Sequence, residues 1–127
     1  MGHRYQDLIV WQRAMDLATE VYCLSARLPA DEKYGLVSQL RRAAVSVASN
    51  IAEGQGRLTK GEFRQFLGTA RGSLFELETQ IQIALTLGLL TAGSAEAAQQ
   101  HAAEVGRMLN GLIASVLETG NSKLETA

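Results

Sequence analysis

Few side chains of this 127-residue chain belong to the types that carry out acid–base, nucleophilic or metal chemistry. The two histidines, His3 and His101, lie far apart and have no metal-type spacing to any cysteine or acid. Cys23 has no neighbouring histidine that would activate its thiol. Glu76 and Glu78 lack the Glu-x-x-His repeat of carboxylate-bridged metal sites in helical bundles. The sequence therefore predicts no catalytic residue, no metal site and no cofactor, and hence a protein that is not an enzyme.

One segment has the composition of an anion-binding corner, namely residues 54–60 with the sequence Gly-Gln-Gly-Arg-Leu-Thr-Lys. It leads into a predicted helix N-terminus, where backbone N–H groups and the helix dipole attract phosphate. Arg57 and Lys60 flank that end. The segment is not a P-loop, because the Gly-Lys-Ser/Thr sequence and a preceding strand are absent. An ordinary helix–helix loop is the alternative interpretation, since such loops are common.

Positive charge is concentrated in the middle of the chain, although the net charge is −1. From residue 41 to residue 71, six Lys or Arg residues stand against only Glu53 and Glu62. This excess predicts a basic patch for RNA or DNA, whereas the alternative is an unevenly charged but merely solvated surface. No aromatic residue is expected to stack beside these charges, so recognition would follow backbone and shape. The candidate nucleic-acid-binding residues are Arg41, Arg57, Lys60, Arg64 and Arg71.

The basic residues are expected to lie on or between helices. Apolar side chains recur at three- and four-residue steps through four segments of the chain, which is the pattern of amphipathic helices. The chain contains one proline and no strand-like alternation. Short connections between four amphipathic helices favour an all-α fold, an antiparallel up-down-up-down four-helix bundle. We predict helices over residues 9–28, 32–54, 60–88 and 94–119.

Capping and breaking residues define the predicted helix boundaries. Pro29 ends the first helix, because the residue before a proline avoids helical geometry. Asp31 lies at the predicted start of the second helix, where an acidic residue is favourable. Thr59 and Glu62 have the spacing of a capping box at the start of the third helix, and Gly88 marks its end.

The chain is predicted to form one domain over residues 1–127, with an ordered core over 5–119. Gly120 should close the fourth helix, and a polar, disordered tail should follow over 120–127. No signal peptide and no apolar run of about 20 residues is evident, so no membrane association is predicted. A single cysteine cannot form an internal disulfide, which favours a soluble protein of the reducing cytoplasm.

The outer faces of the second and third helices carry small and apolar residues where Lys, Glu or Gln would be typical. Each glycine within a helix costs about 1 kcal/mol relative to alanine. We interpret both faces as subunit contacts of a homo-oligomer, while a monomer with scattered exposed apolar residues is the alternative. A covered Arg42 would then need Glu76 or Glu78 as a partner. The candidate interface residues are Arg42, Ser46, Ser49, Glu53, Gly68, Gly72, Phe75, Thr79 and Ile83.

Residues 35–54 read Gly-Leu-Val-Ser-Gln-Leu-Arg-Arg-Ala-Ala-Val-Ser-Val-Ala-Ser-Asn-Ile-Ala-Glu-Gly. This run resembles the signature of the bacterial four-helix bundle proteins encoded in 23S rRNA intervening sequences, some of which are called ribosomal proteins. Supporting segments are Leu-Ile-Val-Trp-Gln at residues 8–12 and Gly-Ser-Leu-Phe-Glu-Leu-Glu-Thr at residues 72–79. The resemblance extends over residues 5–118.

The resemblance implies an antiparallel four-helix bundle that often assembles into a homopentameric barrel. A similar bundle is the accessory variability determinant of diversity-generating retroelements, which binds nucleic acid through a basic surface and works with a reverse transcriptase. The expected function is therefore that of a non-enzymatic oligomer, with a pentamer as its expected state, that binds structured RNA or DNA through the hairpin of helices 2 and 3. A structural or protein–protein interaction module without nucleic-acid binding is the alternative.

Overall fold

The computed structural model describes the backbone of residues 4–126 and the side chains of residues 4–116. A 3-10 turn, Tyr5–Asp7, precedes the first of four α-helices. No strand occurs among the described residues, which confirms the predicted all-α fold class. The helices are α1 (Ile9–Ser25), α2 (Ser38–Gln55), α3 (Lys60–Thr86) and α4 (Ala92–Thr126).

Contacts between α2 and α3 run in opposite directions along the two helices. Gln80 Nε2 lies 3.4 Å from Gln39 Oε1, whereas the hydroxyl of Ser46, further along α2, lies 2.8 Å from the hydroxyl of the earlier Ser73. These two helices are therefore antiparallel. Helix α1 packs against α2 and α4, and α3 packs against α2 and α4. The four helices thus surround one core in chain order, with α1 and α3 at diagonal corners.

The apolar stripes of all four helices converge on this core. The stripe predicted for α3 is buried from Leu67 to Ala84, and the stripe predicted for α4 is buried from Ala98 to Leu109. Removing each Leu or Ile of this core from water contributes about 1.5–3 kcal/mol to folding. The largest fully buried side chains are those of Leu17, Leu40, Ile51, Leu67, Leu74, Leu77, Ile81 and Leu109.

The regular part of the second helix begins later than predicted. A 3-10 turn, Ala30–Glu32, and a π-helical turn, Lys33–Val37, come first. The Glu32 carboxylate accepts a hydrogen bond from the backbone N–H of Leu36 at 3.1 Å. Gly35 has a φ of −109° and a ψ of −111°, which departs from helical geometry. The acidic residues after Pro29 therefore cap a short turn, and only beyond it does the α-helix start.

Glycine ends α3 as predicted. Gly88 has a φ of +73°, a left-handed conformation that side-chain-bearing residues rarely adopt. The backbone N–H of Leu89 donates to the carbonyl of Ala84 at 2.9 Å, and that of Gly88 donates to the carbonyl of Leu85 at 3.0 Å. This pair of bonds is a Schellman motif, which satisfies carbonyls that a helix end would otherwise leave free.

Gly120 does not end α4, contrary to the prediction, because the helix continues to Thr126. A lone glycine costs only about 1 kcal/mol of helix propensity, and no proline follows it to stop the helix. The side chains after residue 116 lie outside the described residues, and the disorder predicted for the tail over 120–127 stays a prediction.

Candidate functional site

The N-terminus of α3 is occupied by its own capping residues. Thr59 Oγ1 accepts a hydrogen bond from the backbone N–H of Glu62 at 3.1 Å, and it also donates to Glu62 Oε1 at 3.1 Å. The carboxylate of Glu62 thus lies in the first turn, where it interacts favourably with the helix dipole. Thr59 is the N-cap at the predicted position, while the Glu62 carboxylate accepts from the Thr59 hydroxyl and not from the backbone N–H that a full capping box uses. This arrangement favours an ordinary helix–helix loop over a phosphate-binding corner.

Arg57, in the same loop, is held within the protomer. Its Nη2 lies 3.3 Å from Glu53 Oε2, and its guanidinium lies over the ring of Phe66 at 4.5 Å from the centroid. The expectation that no aromatic residue stacks beside the basic residues is therefore wrong, because Phe66 was assigned to the core stripe. Lys60 is half-buried and Arg64 is exposed one helical turn later. These three basic residues remain together at the α2–α3 end of the bundle.

Arg41 and Arg71 do not join them. Arg41 Nε donates to Ser25 Oγ at 2.8 Å, and its guanidinium lies 4.6 Å from the ring centroid of Tyr22, so it contacts α1. Arg71 Nη1 donates to Asn110 Oδ1 at 3.1 Å, so it contacts α4. The two arginines lie on opposite sides of the α2–α3 hairpin. The five predicted basic residues therefore do not form a single patch on one protomer.

An apolar strip runs along the outer face of α3, and we define the α3 strip as Phe75, Thr79, Ile83 and Leu87. The side chains of Phe75 and Leu87 are 54% and 64% exposed, and Ile83 is exposed as well. Leu87 was missed in the sequence, although it continues the four-residue spacing of the other three. Together they line one largely apolar surface that no other described part of the protomer covers.

Packing within the protomer does not explain why three positions of α3 are occupied by glycine. A Cβ atom added at Gly61, Gly68 or Gly72 would meet no other atom within 4 Å. Gly54 of α2 differs, because a Cβ atom there would lie 2.8 Å from the Cβ of Phe66. Packing inside the bundle therefore explains Gly54 and leaves the three glycines of α3 unexplained.

Two ion pairs lie on the outer face of the α2–α3 hairpin. Arg42 Nη2 lies 2.9 Å from Glu76 Oε2, so the predicted partnership of Arg42 with an acid of α3 is confirmed. Arg57 similarly neutralises Glu53. Ser46, predicted to face a neighbouring subunit, is half-buried and contacts α3 through the hydroxyl of Ser73. Two further polar side chains, Glu78 and Gln82, line the same surface as the α3 strip.

Arg42→Ala is expected to lower the free energy of unfolding of the protomer by less than about 1 kcal/mol, because the side chains of Arg42 and Glu76 are 61% and 42% exposed. Urea unfolding at low protein concentration checks this, with Arg107→Ala on the exposed face of α4 as the matched control. A cost above about 3 kcal/mol for Arg42→Ala alone would show that something outside the protomer buries the pair.

The described part of the chain contains neither a group of metal ligands nor a helix that could cross a membrane. Within it, no group of three His, Cys, Asp or Glu side chains is placed to hold a metal ion. Cys23 is exposed, and His101 is half-buried on α4. Nor do the described residues include a helix with both the length and the apolar character that crossing a bilayer requires.

The sequence matches a known protein family, and the fold matches that of a solved structure. Residues 6–111 match the family described as 23S rRNA-intervening sequence protein. The chain belongs to this family. A solved structure from the S23 ribosomal protein family of Bacteroides thetaiotaomicron VPI-5482, described as a protein with unknown function, is similar at 20% identity with a TM-score of 0.77. The similarity covers 83% of this chain and 98% of that one, and shows a shared fold. No curated protein matches the chain in sequence.

Proposed function

We propose that this member of the 23S rRNA-intervening sequence protein family is a non-enzymatic cytoplasmic protein that works as a homo-oligomer. The observation that carries this proposal is the α3 strip, with three large exposed apolar side chains in one line. Single exposed apolar residues are normal on monomers, but contiguous patches mark interaction sites. The outer face of the α2–α3 hairpin is therefore the proposed subunit contact.

The glycines of α3 support the same proposal. Each glycine in a helix costs about 1 kcal/mol relative to alanine, and these three gain no packing inside the bundle. The distance between packed helices depends on the side chains at their contact, so glycine allows a close approach. A helix from a second copy would use the space beside Gly68 and Gly72. Internal neutralisation of Arg42 and Glu53 favours burial of the same face.

The mass of the protein in solution tests self-association. Light scattering at micromolar concentration is expected to give several times the chain mass of 13.7 kDa, with five copies as the number that the family resemblance suggests. A monomer under these conditions would contradict the proposal, and the outer face would then serve contact with a different protein.

Nucleic-acid binding is the second candidate function, and the grouping of Arg57, Lys60 and Arg64 at the α2–α3 end favours it. Copies arranged around a ring would repeat this modest cluster many times. Each phosphate neutralised by a basic side chain releases counterions, so such binding is steeply weakened by salt. Because the cluster includes no groove-reading element, binding should tolerate different sequences of structured RNA or DNA.

The triple variant Arg57→Glu/Lys60→Glu/Arg64→Glu is expected to abolish retention of rRNA fragments at low salt while leaving the oligomer mass unchanged. The matched control is Arg107→Gln, which removes an exposed basic residue of α4, outside the cluster and outside the proposed subunit contact. Filter binding over a range of salt concentrations measures both variants. If the unmodified protein retains no rRNA at low salt, the cluster is solvated surface only.

A further inference from the structure

A second exposed apolar surface lies on another side of the bundle. We define the α1–α2 groove as Met15 and Tyr22 of α1 together with Val45 of α2. Their exposed fractions are 43%, 44% and 44%. Together with the α3 strip, the groove accounts for six of the ten large apolar side chains that are exposed among the described residues. The other four are Tyr5, Ile9, Tyr34 and Leu58, which lie outside the four α-helices or at the first residue of α1.

Helical spacing and the contacts of Arg41 place the three groove residues along one seam between α1 and α2. Arg41 lies on the ring of Tyr22 and bonds to Ser25, which sets this part of α2 level with the end of α1. Val45 follows Arg41 by one helical turn on α2. The start of α2 lies beside the end of α1 and the two helices pack against each other, so they run in opposite directions and Val45 is level with the turn of α1 before Tyr22. Met15 lies two turns before Tyr22, at the far end of the same groove.

We propose that the α3 strip of one copy docks in the α1–α2 groove of the next copy. This inference rests on the proposed self-association and adds the identity of the two surfaces that meet. Helix α3 is diagonal to α1 and carries the strip on its outward side, so the strip and the groove of one chain face different directions. Two different surfaces that bind each other give a head-to-tail contact, which closes into a ring when the rotation allows it.

Charge at the two surfaces is complementary. Glu78 borders the α3 strip and is exposed. Arg41 is half-buried beside the groove, where its guanidinium lies against the ring of Tyr22 and its Nε donates to Ser25 Oγ. Docking brings an acidic group towards a basic group, whereas two α3 strips facing each other would bring two copies of Glu78 together. Complementary potentials of this kind suppress the wrong pairing.

Mixing two variants tests the proposal. Phe75→Lys disables the strip and leaves the groove intact, while Met15→Lys/Val45→Lys disables the groove and leaves the strip intact. All three positions are exposed, so circular dichroism should show unchanged helicity for both variants. Each variant alone is expected to be a monomer of 13.7 kDa by light scattering. An equimolar mixture is expected to double that mass, because one intact strip then meets one intact groove.

Two results would overturn the proposal while leaving self-association standing. One is a groove variant that keeps the mass of the unmodified oligomer, which would show that strips bind strips. The other is a mixture that stays monomeric although both variants are folded. A monomeric unmodified protein gives a distinct result, since it overturns the proposed oligomer itself.

Discussion

Replacing Gly54 with alanine is expected to lower the free energy of unfolding by about 1–2 kcal/mol. The added Cβ atom would lie 2.8 Å from the Cβ of Phe66 and 3.1 Å from Cδ1 of Phe63. Because a Cβ atom is fixed to the backbone, Phe66 cannot rotate away, and α2 must move from α3. The gain of about 1 kcal/mol in helix propensity offsets only part of the cost of this overpacking.

Gly111→Ala is the matched control for this prediction. Gly111 lies within α4, where an added Cβ atom meets nothing within 4 Å, so this variant should be up to about 1 kcal/mol more stable than the unmodified protein. Urea unfolding measures both variants, and an unchanged dependence of free energy on urea shows that only stability has changed. Equal shifts in the two midpoints would show that α2 and α3 are not in close contact at Gly54.

Local sequence signals predicted α3 well, because its apolar repeat and the residues that cap its two ends lie within the helix or next to it. Its apolar side chains repeat at helical spacing through many turns, and the core residues follow that repeat. Thr59 and Glu62 are three residues apart, and Gly88 follows the last apolar turn, so both ends depend on near neighbours. Sequence reasoning is strongest where the interacting groups are separated by only a few residues.

The connection between α1 and α2 was predicted less well for a related reason. An acidic start after Pro29 and a single Gly35 are compatible both with one long helix and with a capped turn followed by a helix. The structure takes the second form, with the Glu32 carboxylate bonded to the N–H of Leu36. Helical patterns tolerate a lone glycine, so the sequence did not distinguish these alternatives.

The basic residues show most clearly what a sequence leaves undetermined. Counting charges between residues 41 and 71 indicated a patch, but the partner of Arg41 is 16 residues away and that of Arg71 is 39 residues away. Such partners become visible only when the helices are packed. The partner of Arg42 could be predicted, because a charged residue on a helix face of mostly small residues requires an acid on the adjacent helix. Glu76 is that acid.

Phe75→Lys is expected to dissociate the oligomer into monomers that keep their helical content. Within the protomer the Phe75 side chain is 54% exposed, so lysine remains solvated there and is also a better helix former. In the subunit contact the change forfeits about 1.5–3 kcal/mol of aromatic burial and places an ammonium group in an apolar site. Since 1.4 kcal/mol corresponds to a tenfold change, the lost burial should raise the Kd of each contact by about ten- to a hundredfold, and the ammonium group adds to this rise.

Light scattering and circular dichroism on the same samples separate this effect from unfolding. The control is Leu58→Lys, which replaces a 98% exposed leucine in the α2–α3 loop, outside both the α3 strip and the α1–α2 groove. It removes as much exposed apolar character as the Phe75 variant, yet it should leave the mass unchanged. Dissociation by both variants would point to a general loss of apolar surface, and retention of the oligomer by Phe75→Lys would exclude the α3 strip from the subunit contact.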